Sequence, residues 1–133
     1  METQAARAQA FAQTGLITAE YDVAKHGGAV GSIPIGQKIP ANAIVTGGHM
    51  KVLAAPTSSG AATVAINLES SGDVLAATAI ASLTPGLHDV IPDGTAANDF
   101  ETTQERMLTV EVSTAALTSG RFLVLLNYLP GGV

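Results

Sequence analysis

The residues best suited to metal binding or proton transfer in this 133-residue chain are its three histidines. They stand at His26, His49 and His88, each more than 20 residues from the next. A metal site needs two or three ligands that converge, often at short spacing. We therefore predict no metal site here, and we expect the histidines to be exposed or structural.

The densest run of charge is acidic. Carboxylates on a loop can bind calcium, but this spacing matches no twelve-residue calcium loop, and Arg106 adjoins the run. We expect a solvated acidic loop, with the alternative that its acids face basic residues of a partner. The acids concerned are Asp89, Asp93, Asp99, Glu101 and Glu105.

Other catalytic patterns are missing from the sequence. Gly27, Gly28 and Gly31 superficially resemble a phosphate loop, yet neither a Lys-Ser/Thr pair nor a helix signal follows them. The chain has no cysteine, and its serines and threonines lie in turns and outward strand positions without a His and acid pattern. The sequence therefore predicts a non-enzymatic protein without catalytic residues, metal or cofactor.

The low content of charged residues indicates which partners the protein can have. Charged residues make up 13% of the chain, against about 25% in an ordinary soluble domain. Such a weakly charged surface is usually covered by a partner, so we expect a homo-oligomer. With a net charge of −5 and six Lys and Arg residues, the chain is not expected to bind nucleic acid. Its longest apolar run, Phe122 to Leu126, is far shorter than a membrane span.

Hydrophobic residues alternate with polar ones in several stretches, as in half-buried strands. In the first stretch, Ile17, Ala19, Tyr21 and Val23 share one face, and residues 106–113 alternate in the same way. About eight such stretches are separated by turn residues at regular spacing. They predict an all-β fold, a single-domain, jelly-roll-like β-sandwich over residues 16–133.

Glycine and proline indicate where strands end or bend. Pro34 cannot donate to a ladder and so marks an edge strand, and residues 36–42 are expected to form a loop. Gly47 and Gly48 indicate a bulge or a close backbone approach. The Ala-rich segment around Asp73 permits either a short helix capped by that aspartate or a strand.

Two segments echo each other. Residues 54–68 (AAPTSSGAATVAINL) and 115–129 (AALTSGRFLVLLNYL) each present an apolar strand end, a Thr-Ser-Gly turn and a second apolar strand. We interpret the echo as shared turn chemistry, with gene duplication as the alternative. For the first segment we predict a hairpin between strands 44–53 and 63–69.

The last strand, Phe122 to Leu129, is apolar on both faces. Such a strand is buried on both sides, either at the centre of a sheet or against another chain. We therefore select Leu123 and Leu125 as candidate interface residues.

The first 15 residues differ from the rest in being rich in Ala and Gln, which favour helix. One interpretation is a frayed tail. The other is an N-terminal arm over residues 1–15 that orders on a partner, with Phe11 and Leu16 as anchors.

Three stretches carry a resemblance to a known class: IPIGQKIPANAIV (33–45), SSGDVLAATAIASL (70–83) through IPDGTAAN (91–98), and ERMLTVEVSTAALTSGRFLVLLNYL (105–129). Over residues 16–129 the chain resembles small virion structural proteins of tailed bacteriophages, of the capsid decoration, cement or head-fibre type. The resemblance implies a β-sandwich that forms a homotrimer on the capsid exterior, contacts the major capsid protein, and is assembled in the cytoplasm of the bacterial host.

Two other functions remain open from the sequence. One is a head-fibre, tail or baseplate module of a phage virion. The other is a cupin-like small-molecule binder. A cupin-type jelly roll would carry two histidines separated by one residue, whereas Met50 and Lys51 follow His49.

Overall fold

The computed structural model describes residues 15–129. They form nine strands, one short helix, α1 (Val23–His26), and one 3-10 turn, Ile80–Ser82. The strands are β1 (Gly15–Asp22), β2 (Gly31–Ile39), β3 (Ile44–Ser58), β4 (Thr63–Asn67), β5 (Leu75–Ala79), β6 (Gly86–Asp89), β7 (Phe100–Glu101), β8 (Arg106–Ser113) and β9 (Leu117–Leu129).

The strands make two antiparallel sheets. Sheet A has the order β1-β9-β3-β6, with β7 paired to one end of β3, and sheet B has the order β2-β8-β4-β5. Without the two-residue β7, eight strands remain in the order of a jelly roll. The predicted all-β, jelly-roll-like sandwich is confirmed, and β7 is the strand beyond the expected eight.

The core lies between the inner faces of the sheets. Along β8 the alternate residues Leu108, Val110 and Val112 are buried, as their spacing predicts. In sheet A, the buried ring of Tyr21 on β1 lies next to that of Phe122 on β9, with ring centroids 5.2 Å apart. Burial raises the pKa of Tyr21, whose hydroxyl donates to the carbonyl of Gly27 at 2.6 Å.

The predicted hairpin is wrong. β3 belongs to sheet A and β4 to sheet B, and likewise β8 belongs to sheet B and β9 to sheet A. Alternation tells which side of a strand is buried, and both inner faces bury the same residue types, so it does not identify the pairing partner. Each connection therefore crosses from one sheet to the other.

Only parts of the two echoed segments lie side by side: residues 54–58 of the first lie in β3 next to β9, whereas residues 63–67 lie in β4 of sheet B. Thr57 pairs with Ser119 and Ser58 with Leu117, where β3 and β9 run together. The second turn falls at residues 114–116, ahead of β9. Its Thr-Ser-Gly residues are thus part of a strand, contrary to the prediction.

Three local expectations can also be compared with the structure. Pro34 does lie on an edge strand, because β2 pairs with β8 alone. The predicted loop 36–42 is shorter, since β2 continues to Ile39 through a register shift between Ile35 and Lys38. The segment after Asp73 is strand β5, not a helix. The Asp73 carboxylate accepts hydrogen bonds from three backbone amides of the preceding loop, at 2.8–2.9 Å.

Candidate interaction surface

The outer face of sheet A carries the predicted interface residues that the structure describes. Leu123 and Leu125 point outward from the central strand β9 and are half-buried, while the inward residues Val124 and Leu126 are fully buried. Leu16 lies on the same face at the edge strand β1 and is 60% exposed. Phe11 lies outside the described residues.

Sequence reasoning missed three further apolar side chains on this face. Leu53 and Ile44 extend from β3, and Leu87 on β6 is 71% exposed. The alternation of β3 around the buried Met50 and Val52 would have placed Leu53 outward. We call five leucines of this outer face the leucine face: Leu16, Leu53, Leu87, Leu123 and Leu125.

The rows of the sheet show how the leucine face is arranged. Leu123 lies opposite Glu20 of β1 on one side and Lys51 of β3 on the other. Lys51 in turn lies opposite Leu87 of β6. Since opposite residues of antiparallel strands share a face, Leu123 and Leu87 are two strands apart in one row.

Charge at the β1 edge of this face is largely neutralised within the face. Glu20 accepts from Arg121 at 2.7 Å and from Lys25 at 3.1 Å. These hydrogen bonds, that from Arg121 foremost, lower the pKa of Glu20, and its carboxylate raises the pKa of Arg121. A partner that covers this edge would therefore meet paired charges, which cost less to desolvate than isolated ones.

The outer face of sheet B is different. Its central strands present hydroxyl, amide and carboxylate groups to solvent, including Thr63, Thr109 and Glu111. The Asn67 side chain donates to Glu111 at 3.1 Å, so these groups are partly bonded to one another. The two outer faces thus differ in composition: that of sheet A is rich in exposed leucines, with Glu20, Lys51 and Arg121 between them.

The three histidines do not converge. His49 points outward from β3, whereas His88 on β6 contacts the carbonyl of Thr84 at 2.6 Å. His26 lies in α1, accepts from the amide of Asp22 and stacks on Tyr21. Within residues 15–129 no three His, Asp or Glu side chains are grouped closely enough to hold a metal ion.

The acidic segment is organised by its own side chains. Asp99 accepts from the backbone amides of Asp93 and Gly94, at 3.2 and 3.0 Å. Asp93 accepts from Thr95 and from the amide side chain of Asn98. These bonds lower the pKa of Asp93, with the hydroxyl of Thr95 as the largest cause. Asp93 therefore keeps its negative charge while it holds the loop in shape.

A cavity of about 470 Å³ lies where this loop meets sheet A. Gly47 and Gly48 form part of its lining, at the register shift in β3. A Cβ on Gly48 would lie 2.1 Å from the carbonyl oxygen of Leu125, which confirms the predicted close backbone approach. The remaining lining residues are Thr46, His49, Asp89, Val90, Pro92, Asp93 and Asn127.

The described part of the chain also has no helix of the length and apolarity that crossing a membrane requires.

Comparisons with known proteins identify the fold. No protein-family model matches the sequence, and no curated protein sequence matches it. Among solved structures, a chain of the acidic stable capsid structure of Helicobacter pylori bacteriophage KHP30 matches at 15% identity and a TM-score of 0.64, over 90% of this chain and 89% of that chain.

Two further phage structures contain similar chains. One belongs to the cyanophage Pam1 capsid asymmetric unit, with 15% identity and a TM-score of 0.61, over 88% of this chain and 84% of that chain. The other belongs to the capsid of Ralstonia phage GP4, with 16% identity and a TM-score of 0.62, over 90% and 86%. At these identities the likeness establishes a shared fold.

Proposed function

We propose that this protein is a non-enzymatic structural component of a bacteriophage virion. More specifically, it is a capsid decoration or cement protein that binds the exterior of the shell. The shared fold with chains of three phage capsid structures supports the virion role. The leucine face is the observation that carries the proposal, because a weakly charged chain with several exposed leucines on one sheet face gains stability when those leucines are covered.

In this proposal the leucine face contacts sister copies, in a homotrimer, and the major capsid protein. A shell-binding protein stabilises the assembled state by mass action, since it binds adjacent capsid subunits only when they are together. The contact is made many times on one particle, so a modest affinity for each copy suffices. A stiff β-sandwich suits this task because it loses little conformational entropy on binding.

The first experiment tests the face. Leu87→Asp places a charge on a side chain that is already 71% exposed, so folding is expected to survive. Light scattering should show loss of the oligomer, and Leu125→Asp should act in the same direction. Ala77→Asp, on the exposed strand β5 of sheet B, is the matched control and should leave the mass unchanged. An unassociated wild-type chain, or equal effects of Leu87→Asp and Ala77→Asp, would contradict the proposed contact.

The second experiment tests the location. Electron microscopy of virions labelled with an antibody against the protein should show label over the whole shell. Label confined to the tail or the vertices would instead support a head-fibre, tail or baseplate module. Virions without the protein would overturn both.

A further inference from the structure

Two opposite charges lie among the residues of the leucine face. Lys51 on β3 lies between Leu123 of β9 and Leu87 of β6 in one row of sheet A. Asp89, two residues after Leu87 on β6, points to the same side of the sheet. Lys51 and Asp89 are both exposed. A partner that covers Leu87 therefore covers the two charges as well.

Neither charge has an ionic partner within residues 15–129. The other lysines and arginines of these residues all form ion pairs: Lys25 and Arg121 with Glu20, Lys38 with Glu105, and Arg106 with Glu69. Asp89 forms no ion pair either, although His49 lies opposite it on β3. A surface that covered Lys51 and Asp89 without offering opposite charges would leave both desolvated and unpaired, which is strongly unfavourable.

Asp89 is the carboxylate of this face best placed to pair with a lysine at the position of Lys51. Asp22, at the end of β1, caps α1 by accepting a hydrogen bond from the amide of Ala24. Glu101 lies opposite Ile44 at the start of β3, about 20 Å along the strand from Lys51. Asp89 is thus the acid that a contact centred on Leu87 would cover.

The positions of the two charges favour a second copy of this chain as the partner. Lys51 lies opposite Leu87, so Asp89 is its diagonal neighbour in the sheet, with Cα atoms about 7–8 Å apart. One small area therefore carries one charge of each sign. A second copy supplies both the carboxylate that Lys51 lacks and the cation that Asp89 lacks, whereas a partner surface of a single sign would satisfy only one of them.

We propose that, where the leucine faces of sister copies meet, Lys51 of one copy binds Asp89 of the next. This inference rests on the proposed contact between leucine faces and names the groups that orient it. Each copy contributes one lysine and one aspartate, so every charge is paired when the copies close into a ring such as the proposed homotrimer. Burial of Leu87 contributes affinity, and the ion pairs determine which surface is bound and in which orientation.

Charge reversal provides the test. Lys51→Glu should raise the dissociation constant of the oligomer at least about tenfold, because the new carboxylate faces Asp89 of the neighbouring copy. Asp89→Lys should act in the same way, and the double variant should return the dissociation constant to about the wild-type value. Lys38→Glu and Glu105→Lys make the same changes of charge at an exposed ion pair that includes β2 of sheet B. They are the matched controls and should leave the dissociation constant unchanged.

Mixing the two single variants distinguishes pairing between copies from pairing within one copy. Where a Lys51→Glu copy meets an Asp89→Lys copy, the contact again joins opposite charges. At equal total concentration, light scattering should therefore give the mixture a higher mean mass than either variant alone. If the double variant recovers association and the mixture does not, the two groups pair within one copy and the proposal is overturned.

The leucine contact and the ion pair can fail separately. If Leu87→Asp abolishes the oligomer while Lys51→Glu and Asp89→Lys leave it intact, the leucine contact stands and the ion pair is wrong. A wild-type chain that does not associate overturns both.

Discussion

The hydroxyl of Thr57 lies 2.7 Å from the hydroxyl of Thr118 and 2.5 Å from that of Ser119, although about 60 residues separate them in the chain. These residues belong to the two echoed segments, one at the end of β3 and one at the start of β9. The hydroxyl groups bond the two strands to each other just where the register between them is irregular.

We therefore predict that Thr57→Val destabilises the protein although the residue is exposed. The substitution keeps the shape of the side chain but removes the hydroxyl shared by Thr118 and Ser119, a loss of about 0.5–1.5 kcal/mol in the free energy of unfolding. Urea denaturation measures it. Thr18→Val, at an exposed position of β1, is the control. Equal unfolding midpoints for the two variants would mean that the cluster contributes nothing.

Thr102 should matter more, because it is fully buried. Its hydroxyl accepts from the amide of Ala43 at 3.0 Å and donates to the carbonyl of Pro40 at 2.8 Å. Thr102→Val leaves both backbone groups without this partner and should cost about 1–3 kcal/mol in the free energy of unfolding. Thr102→Ser keeps the hydroxyl and should cost clearly less. Because valine keeps the methyl group of threonine and lacks only its hydroxyl, a Thr102→Val variant as stable as the wild type would show that these hydrogen bonds contribute nothing.

The close approach at Gly48 gives a third prediction. An added Cβ would lie 2.1 Å from the carbonyl oxygen of Leu125, and backbone cannot move aside as a side chain can. Gly48→Ala should therefore destabilise by about 1–3 kcal/mol, the usual cost of overpacking, measured as a fall in the thermal unfolding midpoint. Gly47→Ala is the neighbouring control, because its Cβ would meet only Asn127 at an ordinary 3.7 Å. Equal tolerance of both substitutions would contradict the close approach.

The fourth prediction concerns acid. Glu69 accepts from the amide of Thr103 at 2.7 Å and binds Arg106 at 2.9 Å. These bonds, that of Thr103 foremost, hold its folded pKa below the ordinary value of 4.5. Because the folded pKa is the lower one, the stabilisation is complete above the unfolded value and is lost as pH falls through the folded pKa.

Glu69→Gln should therefore lower the urea midpoint at pH 7, and the gap between variant and wild type should narrow as the pH falls below 4.5. Glu105→Gln is the control, since its ion pair with Lys38 is more than half exposed at both ends and contributes little. A gap that stayed constant with pH would show that the charge of Glu69 is not responsible.

The hydrophobic periodicity of the sequence predicted those features of the fold that depend only on which residues are buried. The inward sets of β1 and β8 follow from alternation, because a strand repeats every two residues whatever its neighbours are. The irregular register and the close backbone approach at Gly47 and Gly48 could also be predicted from the sequence. A glycine inside a strand weakens it, so it usually marks a bulge or a place where another backbone comes close.

Which strands pair with each other could not be predicted from the sequence. Each inner face of the sandwich accepts the same aliphatic residues, so nothing local distinguishes a partner in the same sheet from one in the other. The predicted hairpin between β3 and β4 failed for this reason. The outward position of Leu87 on the leucine face was not predicted, because a four-residue strand has too few alternating residues to establish which of them point outward.

The register that joins Gly15 to Tyr128 has a consequence for biosynthesis. Sheet A brings the first and last described strands together, and β9 lies between β1 and β3, so the sheet cannot form until the chain has left the ribosome as far as Leu129. Such non-local topology folds slowly, and its unpaired strands stay exposed to aggregation meanwhile. Yield of folded protein should therefore depend on synthesis temperature and chaperone supply more strongly than the final stability would suggest.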